Sequence, residues 1–199
     1  MAYVILKEQG LDVVFNLKNS WVALIQAYLV EAKWFHSGYK PTMEEYMTNA
    51  LISVACPMVI VNAYLSAANP ISEKEFEYLE SNPDILHYAS RIARLQNDLE
   101  TSSYKLKRGD ILKSIQCLMN ETGAFEEAAH QHIKDLMRQL WNKVNAYRAA
   151  DTILSETSIE LILNLVRMAH CVYLYGDGHA VQEGTKNFAL PLCFEPIPL

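Results

Sequence analysis

The sequence predicts an all-α protein, because three of its properties agree on helices. Apolar residues recur at spacings of three and four along most of the chain, and no strictly alternating run is long enough to predict a pair of strands. Hydrophobic residues fill 51% of the 199 positions and charged residues 20%, with only 7 glycines and 7 prolines to interrupt helices. This composition is sufficient for one buried core and differs from that of a disordered chain.

The first two predicted helices are bounded by residues that typically begin or end helical turns. A short helix over Ala2–Glu8 ends at Gly10, whose backbone readily adopts the left-handed conformation of a helix C-cap. Asn19 is a suitable N-cap, so the second helix is expected to begin there and to end at His36, shortly before Gly38.

A long apolar segment follows, and the sequence predicts one helix over Thr42–Ala67 with a kink at Pro57. No charged residue occurs in Tyr46–Ser72, which raises the question of a membrane span. Pro57 and several polar residues interrupt the run, and acidic rather than basic residues flank it. We therefore expect a helix buried within a bundle and no membrane span.

The remaining helices are predicted from caps and breakers. Ser72 and Glu75 form a capping box for a short helix that ends near Asn82 and Pro83. Gly109 begins a break after the next helix, and the GDGH sequence near the C-terminus indicates a turn. The later predicted helices are Asp84–Lys107, Ile111–Glu121, Phe125–Arg148, Thr157–Tyr175 and Gln182–Cys193.

Charge and cysteine placement exclude several classes of function. The net charge is −6, and the basic residues are dispersed apart from Lys105, Lys107 and Arg108, so an extended nucleic-acid surface is not expected. The four cysteines stand far apart without paired spacing, which argues against a zinc site or a disulfide framework. Any phosphate binding must therefore be local.

The stretch from Arg94 to Lys113, RLQNDLETSSYKLKRGDILK, combines oxygen ligands and cations within an otherwise apolar pattern. Asn97, Thr101 and Lys105 are separated by four residues each, so they share one helix face, with Arg94 one turn earlier. Amide and hydroxyl oxygens suit Mg²⁺, which prefers about six oxygen ligands, and the flanking cations would hold an anion. A solvated helix end can carry the same residue types, so the spacing alone leaves an ordinary surface helix as the alternative.

Within this stretch the pattern N-D-L-x-T-S-x-x-x-L-K-R-G-D resembles the second metal-binding motif of class I terpene synthases, and most of all that of the plant monoterpene type. By this resemblance Asn97 and Thr101 are metal ligands, while Arg94 and Lys113 bind diphosphate as cofactor-binding and catalytic cations. Lys105 occupies the position where the family has a ligand Glu, and an ammonium group cannot coordinate a cation. The resemblance therefore implies two of three ligands, with a cation at the third position.

Four further segments resemble the same family in the family's own order, so the resemblance covers residues 1–199. They are EAKWFHSGYKPTMEEYM (Glu31–Met47), SIQCLMNETGAFEEAAHQHI (Ser114–Ile133), YLYGDGH (Tyr173–His179) and FEPIPL (Phe194–Leu199). The implied fold is a partial class I terpenoid synthase helical bundle. The chain is expected to be the C-terminal portion of the metal-binding domain.

The reaction implied by the resemblance is the Mg²⁺- or Mn²⁺-dependent ionisation of a prenyl diphosphate, with geranyl diphosphate as the expected substrate and a monoterpene as the product. Metal ions and cations would stabilise the charge that develops on the leaving diphosphate. Tyr173 and Asp177 fall in the loop that closes over the diphosphate and excludes water. Residues 53–56, before Pro57, would turn backbone carbonyl oxygens toward the carbocation.

One motif of the family, the aspartate-rich DDxxD, is missing, since the sequence contains no Asp-Asp pair. We therefore expect the isolated chain to be a catalytically inactive part of a terpene synthase. Two alternatives belong to other classes of function. The first is a helical interaction module that self-associates through exposed apolar faces, and the second is a protein that binds a prenyl diphosphate without turnover.

The start of the chain carries no basic segment followed by an apolar core, so neither a secretory signal nor a transit peptide is predicted. Resemblance to monoterpene synthases implies the plastid, and the cytoplasm is the alternative. In either compartment the expected partner is a small-molecule prenyl diphosphate rather than a nucleic acid.

Overall fold

The computed structural model describes residues 1–107, 112–150 and 152–173, and for residues 102–107 it describes only the helical backbone. These ranges contain helices and no strand, so the predicted all-α class is confirmed. The helices are α1 (Ala2–Gln9), α2 (Val14–Ser37), α3 (Met43–Ser53), α4 (Cys56–Ala67), α5 (Glu73–Glu80), α6 (Asp84–Lys107), α7 (Ser114–Thr122), α8 (Glu126–Ala149) and α9 (Glu156–Tyr173).

Helix α6 lies at the centre of the bundle and contacts α3, α4, α7, α8 and α9. It begins directly after Pro83, as predicted. Its apolar side chains facing the core are at most 3% exposed: Ile85, Leu86, Ala89, Ile92 and Leu95. Burying each of the larger ones stabilises the fold by roughly 1.5–3 kcal/mol before the entropic cost of ordering the chain. Helix α6 therefore holds its polar residues in a fixed place.

The single helix predicted over Thr42–Ala67 is wrong, because the structure divides it into α3 and α4. Ala55 adopts the left-handed conformation, with φ of 63°, and this ends the helical hydrogen-bond pattern. Pro57 lies in the first turn of α4, where its missing N–H has no helical partner to lose. The proline thus begins a new helix rather than bending an existing one.

The predicted start of α3 is confirmed by its capping box. Thr42 Oγ1 accepts a hydrogen bond from the backbone N–H of Glu45 at 3.1 Å, and Glu45 Oε2 accepts one from the backbone N–H of Thr42 at 2.9 Å. Ser72 caps α5, since its Oγ accepts the backbone N–H of Glu75 at 3.3 Å. The predicted capping box is incomplete, because the backbone N–H of Ser72 donates to the Tyr64 hydroxyl at 3.1 Å instead of to Glu75.

The predicted start of α2 at Asn19 is wrong, since the helix begins at Val14 and Asn19 lies inside it. Val13 occupies the N-cap and has no capping side chain, while Asp12 Oδ1, one residue earlier, accepts a hydrogen bond from the backbone N–H of Val14 at 3.0 Å. Gly10 ends α1 with φ of 74°, as predicted.

The other boundaries lie close to the predictions where the structure describes them. Helix α7 begins at Ser114 rather than at Ile111, since Leu112 and Lys113 are not helical. Ile111 itself, the break at Gly109, the GDGH turn and the final helix predicted over Gln182–Cys193 lie outside the described residues.

The segment Met43–Ala67 has the length and the mean hydropathy, 1.8, of a membrane-spanning helix. In the structure it forms two helices, and 44% of its most apolar window is buried inside the bundle. A core helix passes the same compositional test, and the packing of α3 and α4 against α6 accounts for the apolar sequence.

Helix α2 carries a largely uncovered apolar face. Only Leu24 and Ala27 of its 24 residues are buried. Five large apolar side chains on successive turns are 41–62% exposed: Trp21, Val22, Ile25, Tyr28 and Leu29. We call these five residues the α2 face.

Candidate functional site

Arg94, Asp98 and Tyr46 form a buried polar cluster between α3 and α6. Arg94 is 6% exposed, and the other two are fully buried. The Nε–H of Arg94 donates to the hydroxyl oxygen of Tyr46 at 2.7 Å, and Nη2 donates to the same oxygen. The Tyr46 hydroxyl in turn donates to Oδ2 of Asp98 at 2.6 Å. Arg94 Nε also lies 3.1 Å from Asp98 Oδ1, which pairs the two charges one helical turn apart.

The cluster also fixes the start of α7, where the second predicted cation lies. Asp98 Oδ2 accepts a hydrogen bond from the backbone N–H of Ser114 at 3.2 Å. The residue before Ser114 is Lys113, which is 7% exposed and whose backbone N–H donates to Gln116 Oε1 at 3.1 Å. The backbone position of Lys113 is therefore set relative to Arg94 through Asp98.

The electrostatics of the cluster keep Arg94 charged and Tyr46 protonated. Burial disfavours the charge of Arg94, but Asp98 and Tyr46 more than offset this, so the pKa of Arg94 lies above its ordinary value. Burial raises the pKa of Tyr46 well above its ordinary value, which keeps the phenol available as a hydrogen-bond donor to Asp98. The cluster therefore contains a permanent guanidinium charge in a dry environment.

The metal-ligand positions predicted from the motif do not by themselves complete a metal site. Thr101 is fully buried, and its hydroxyl donates to the backbone carbonyl of Asn97 at 2.6 Å. Asn97 is partly buried and lies one turn before Thr101 on α6, as predicted. Both side chains offer neutral oxygens only, and the side chain of Lys105 lies outside the described residues. Within the described part of the chain no three His, Cys, Asp or Glu side chains are grouped to hold a metal.

An apolar cavity of about 240 Å³ lies beside the break between α3 and α4. Its lining consists of Val54, Cys56, Val59, Ala93, Leu165, Met168, Ala169, Val172 and Tyr173. Ala93 precedes Asn97 by one turn of α6, so the cavity and Asn97 share one face of that helix. Burial raises the pKa of Cys56 to about 12, so its thiol stays protonated and forms part of an uncharged wall.

The residues near the helix break divide between the cavity and the core. Val54 and Cys56 line the cavity as expected. Ser53 instead donates a hydrogen bond from Oγ to Glu31 Oε1 and is buried. Tyr173, predicted to belong to the closing loop, is the last described residue of α9 and lines the cavity, while Asp177 lies outside the described residues.

The sequence did not point to the roles of Asp98 and Tyr46. Asp98 is the second residue of the N-D-L motif, and its neighbour Asn97 carried the metal prediction. Tyr46 is 48 residues before Arg94, and no spacing rule connects them. The available signal was a single acid four residues after an arginine on one helix, which predicts an ion pair.

Comparison with known proteins agrees with this geometry. Residues 1–143 match the terpene synthase family, metal binding domain. The chain is 48% identical to the chloroplastic gamma-terpinene synthase of Citrus limon over 100% of this chain and 33% of that protein. It is also 48% identical to the chloroplastic myrcene synthase of Quercus ilex over 100% of this chain and 34% of that protein. The chain thus spans about a third of the length of these curated relatives.

Solved structures match the fold over almost the whole chain. A limonene synthase with 2-fluorolinalyl diphosphate has a TM-score of 0.93 and 34% identity, and the match covers 99% of this chain and 37% of that one. Isoprene synthase from leaves of grey poplar (Populus x canescens), in complex with three Mg²⁺ ions and dimethylallyl-S-thiolodiphosphate, has a TM-score of 0.90 and 33% identity, covering 99% and 38%. The matched family domain is a metal-binding one, which implies a divalent metal. The sequence match over residues 1–143 and the helical architecture together show that this chain belongs to the terpene synthase family and forms part of a class I terpenoid synthase bundle.

Proposed function

We propose that residues 1–199 are the C-terminal portion of the metal-binding domain of a monoterpene synthase, and that they bind the diphosphate group of a prenyl diphosphate. The observation that carries this proposal is the position of Arg94. Its permanently charged guanidinium is fixed by Tyr46 and Asp98, directly after Ala93, which lines the apolar cavity. A prenyl diphosphate needs the same two surroundings, a cationic one for its head and an apolar one for its tail.

In the longer protein the reaction begins when the allylic carbon–oxygen bond of the substrate breaks and the electron pair leaves with the diphosphate. Arg94 and Lys113 stabilise the negative charge that develops on the diphosphate oxygens. The cavity walls, including Val54 and Cys56, surround the carbocation with apolar groups and exclude water. We assign Tyr173 and Asp177 to the closure of this site, supported by the place of Tyr173 in the cavity wall.

We propose Mg²⁺ or Mn²⁺ as the divalent metal of the domain, and the oxygens of Asn97 and Thr101 as the ligands that this chain offers. The isoprene synthase relative was solved with three Mg²⁺ ions, which supports the first choice. Because Thr101 is buried and Lys105 follows at the third position, binding by this chain alone is expected to be weak.

We propose geranyl diphosphate as the substrate and the plastid as the compartment. The gamma-terpinene and myrcene synthases named above support the plastid, since each is described as chloroplastic. The limonene synthase solved with 2-fluorolinalyl diphosphate supports an organic diphosphate as the substrate. A cytoplasmic location is the alternative, and it is distinguished by the localisation of the full transcript's product fused to a fluorescent protein.

Calorimetric titration with inorganic diphosphate tests the proposed binding site. We expect the unaltered chain to bind diphosphate, and Arg94→Gln and Lys113→Gln to weaken that binding by about tenfold each, as expected for loss of a charge-assisted hydrogen bond. Arg138→Gln is the matched control, because Arg138 is an exposed arginine on α8 paired with Asp135. Equal weakening by all three variants would mean that only net charge matters, and would contradict the proposal.

A second candidate function is self-association, favoured by the α2 face. Its five apolar side chains span about two helical turns without a charged residue between them. Ile25→Glu places a charge near the centre of this face without altering a buried residue. If the chain self-associates through this face, light scattering coupled to chromatography will show a larger species that Ile25→Glu converts to a monomer.

A further inference from the structure

We infer that Tyr46 is a positioning residue for diphosphate binding, and that its hydroxyl keeps Arg94 from closing onto Asp98. The inference rests on the proposed function, because it concerns the presentation of Arg94 to the anion. It adds a residue from α3 to a site that the sequence motif places on α6 and at the start of α7.

The first step of the argument is the direction of the hydrogen bonds. Arg94 directs its Nε–H and one Nη2–H to a single acceptor, the Tyr46 hydroxyl oxygen. Asp98 Oδ1 lies 3.1 Å from Nε but is buried and receives no hydrogen bond from the described residues. Arg94 and Asp98 are thus close enough to form an ion pair, yet the Nε–H and Nη2–H of Arg94 donate to Tyr46 rather than to Asp98.

The second step is what these bonds prevent. A guanidinium and a carboxylate in contact normally form two parallel hydrogen bonds, and the Nε–H and Nη2–H edge of arginine is one of the edges that does so. Tyr46 occupies that edge, and its own hydroxyl hydrogen occupies Oδ2 of Asp98. The hydroxyl therefore prevents a two-point pair, although Arg94 Nε stays 3.1 Å from Asp98 Oδ1.

The third step is the consequence for an anion. A two-point pair would turn the guanidinium of Arg94 toward Asp98 on the same helix. The guanidinium would then attract a second anion less strongly. With Tyr46 in place, the two bonds to the hydroxyl use the Nε–H and an Nη2–H. They leave the Nη1 group for the anion. Arg94 Cζ also lies 5.2 Å from the centroid of the Tyr46 ring, and this contact limits the movement of the guanidinium.

Calorimetric titration of the Tyr46→Phe chain with inorganic diphosphate tests the inference. Phenylalanine keeps the ring and removes only the hydroxyl, so we expect the affinity for diphosphate to fall by about tenfold relative to the unaltered chain. Tyr64→Phe is the matched control, because Tyr64 is a buried tyrosine whose hydroxyl bonds Glu75 at 3.2 Å, in another part of the bundle. We expect it to bind diphosphate within about twofold of the unaltered chain.

A second variant separates positioning from simple loss of structure. If direct pairing with Asp98 causes the loss of affinity, Tyr46→Phe combined with Asp98→Asn should recover part of it, because a neutral amide attracts Arg94 less strongly. A merely structural role predicts that the second change weakens binding further. Circular dichroism of each variant tests whether its helical content is retained.

A spectroscopic measurement needs no variant. The Nε–H resonance of Arg94 in the unaltered chain should stay protected from solvent exchange when diphosphate is added, while the Nη resonances shift. Loss of Nε–H protection on binding would overturn the inference, as would unchanged affinity in Tyr46→Phe or an equal loss in Tyr64→Phe. Absence of diphosphate binding by the unaltered chain would instead overturn the proposed function, and the inference with it.

Discussion

The backbone N–H of Ser114 donates a hydrogen bond to Oδ2 of Asp98 across 3.2 Å, so a carboxylate on α6 holds the first residue of α7. The same oxygen accepts the hydroxyl of Tyr46, which lies 52 residues before Asp98 on α3. One side chain thus joins three helices around Arg94. The relative position of the two proposed diphosphate-binding cations depends on this carboxylate.

Asp98→Ala should lower the free energy of unfolding by about 3–5 kcal/mol, the usual cost of removing one partner from a buried ion pair. Arg94 would then keep its charge while only 6% exposed, and Ser114 N–H would lose its acceptor. Urea unfolding followed by circular dichroism measures the difference.

Asp135→Ala is the control for the loss of an ion pair as such. Asp135 pairs with Arg138 at 2.8 Å on the surface of α8, where the two side chains are 44% and 71% exposed. Solvent screens this pair, so its loss should cost less than about 1 kcal/mol. Similar costs for the two variants would show that the Asp98 carboxylate is not the support described here.

The sequence predicts local features of this fold well, because short-range chemistry decides them. Pro83 and the apolar period of the following residues place α6 at its observed bounds. Thr42 begins α3 as predicted, and the bonds that cap this helix join Thr42 to Glu45, only three residues away. The resemblance adds the family and the positions of the motif residues. The match over residues 1–143 confirms the family.

The features that could not be predicted depend on contacts distant in sequence or on competition between similar signals. Asn19 has the residue type of an N-cap, yet α2 begins five residues earlier, where Asp12 accepts the backbone N–H of Val14. Pro57 is compatible with a kink or with a new helix, and only the left-handed conformation of Ala55 decides between them. The contact of Tyr46 with Arg94 depends on the packing of α3 against α6, which no local pattern contains.

Ala55→Gly should stabilise the chain by about 1 kcal/mol, because a left-handed conformation costs a residue with a Cβ roughly that much more than glycine. The conformation at this position, φ 63° and ψ 3°, is one that glycine adopts freely. Ala32→Gly is the control, since Ala32 is an exposed residue inside α2 and the change should destabilise by about 0.5–1 kcal/mol. Opposite signs for the two changes in urea unfolding are the expected result, and destabilisation by both would contradict it.

The stability of the chain should decrease as the pH falls through the titration of His87. Burial lowers the pKa of His87 below its ordinary value, with further lowering by the charges of Arg91 and Lys143, while Asp84 opposes them. The unfolded chain therefore binds the proton more readily than the folded chain. The contribution of neutral His87 to the free energy of unfolding is fully present above the ordinary histidine pKa of about 6.5. It is lost as the pH falls below that value and through the lower folded-state pKa.

Urea unfolding of His87→Gln and of the unaltered chain between about pH 5 and pH 8 measures this contribution. We expect the stability difference to move in favour of His87→Gln as the pH falls. His36→Gln, at an exposed position near the end of α2, should leave the profile of the unaltered chain unchanged. A constant difference between His87→Gln and the unaltered chain across this range would refute the assignment.

Lys105→Glu should strengthen the binding of Mg²⁺ or Mn²⁺ in the presence of diphosphate. The change replaces a cation by an anionic oxygen, one turn after Thr101 and two turns after Asn97 on α6. Two unit charges about 4 Å apart exchange roughly 4 kcal/mol at an effective dielectric of about 20, so reversing the sign beside a divalent ion should outweigh the small change in helix propensity. Solvent screening reduces this energy, so we predict the sign of the change in metal affinity and not its size.

Three further variants identify the cause of any gain in metal affinity. Lys105→Gln removes the cation without supplying a carboxylate, so a gain as large as that of Lys105→Glu would mean that repulsion, not coordination, had limited binding. Lys107→Glu reverses a charge two residues later, about 200° around the helix, and should have a much smaller effect. Asn97→Ala in the Lys105→Glu chain should reduce the gain, because it removes an oxygen from the same face. If Asn97→Ala has no effect there, this face of α6 is not a metal site, and the family motif has kept its place in the fold without its ligands.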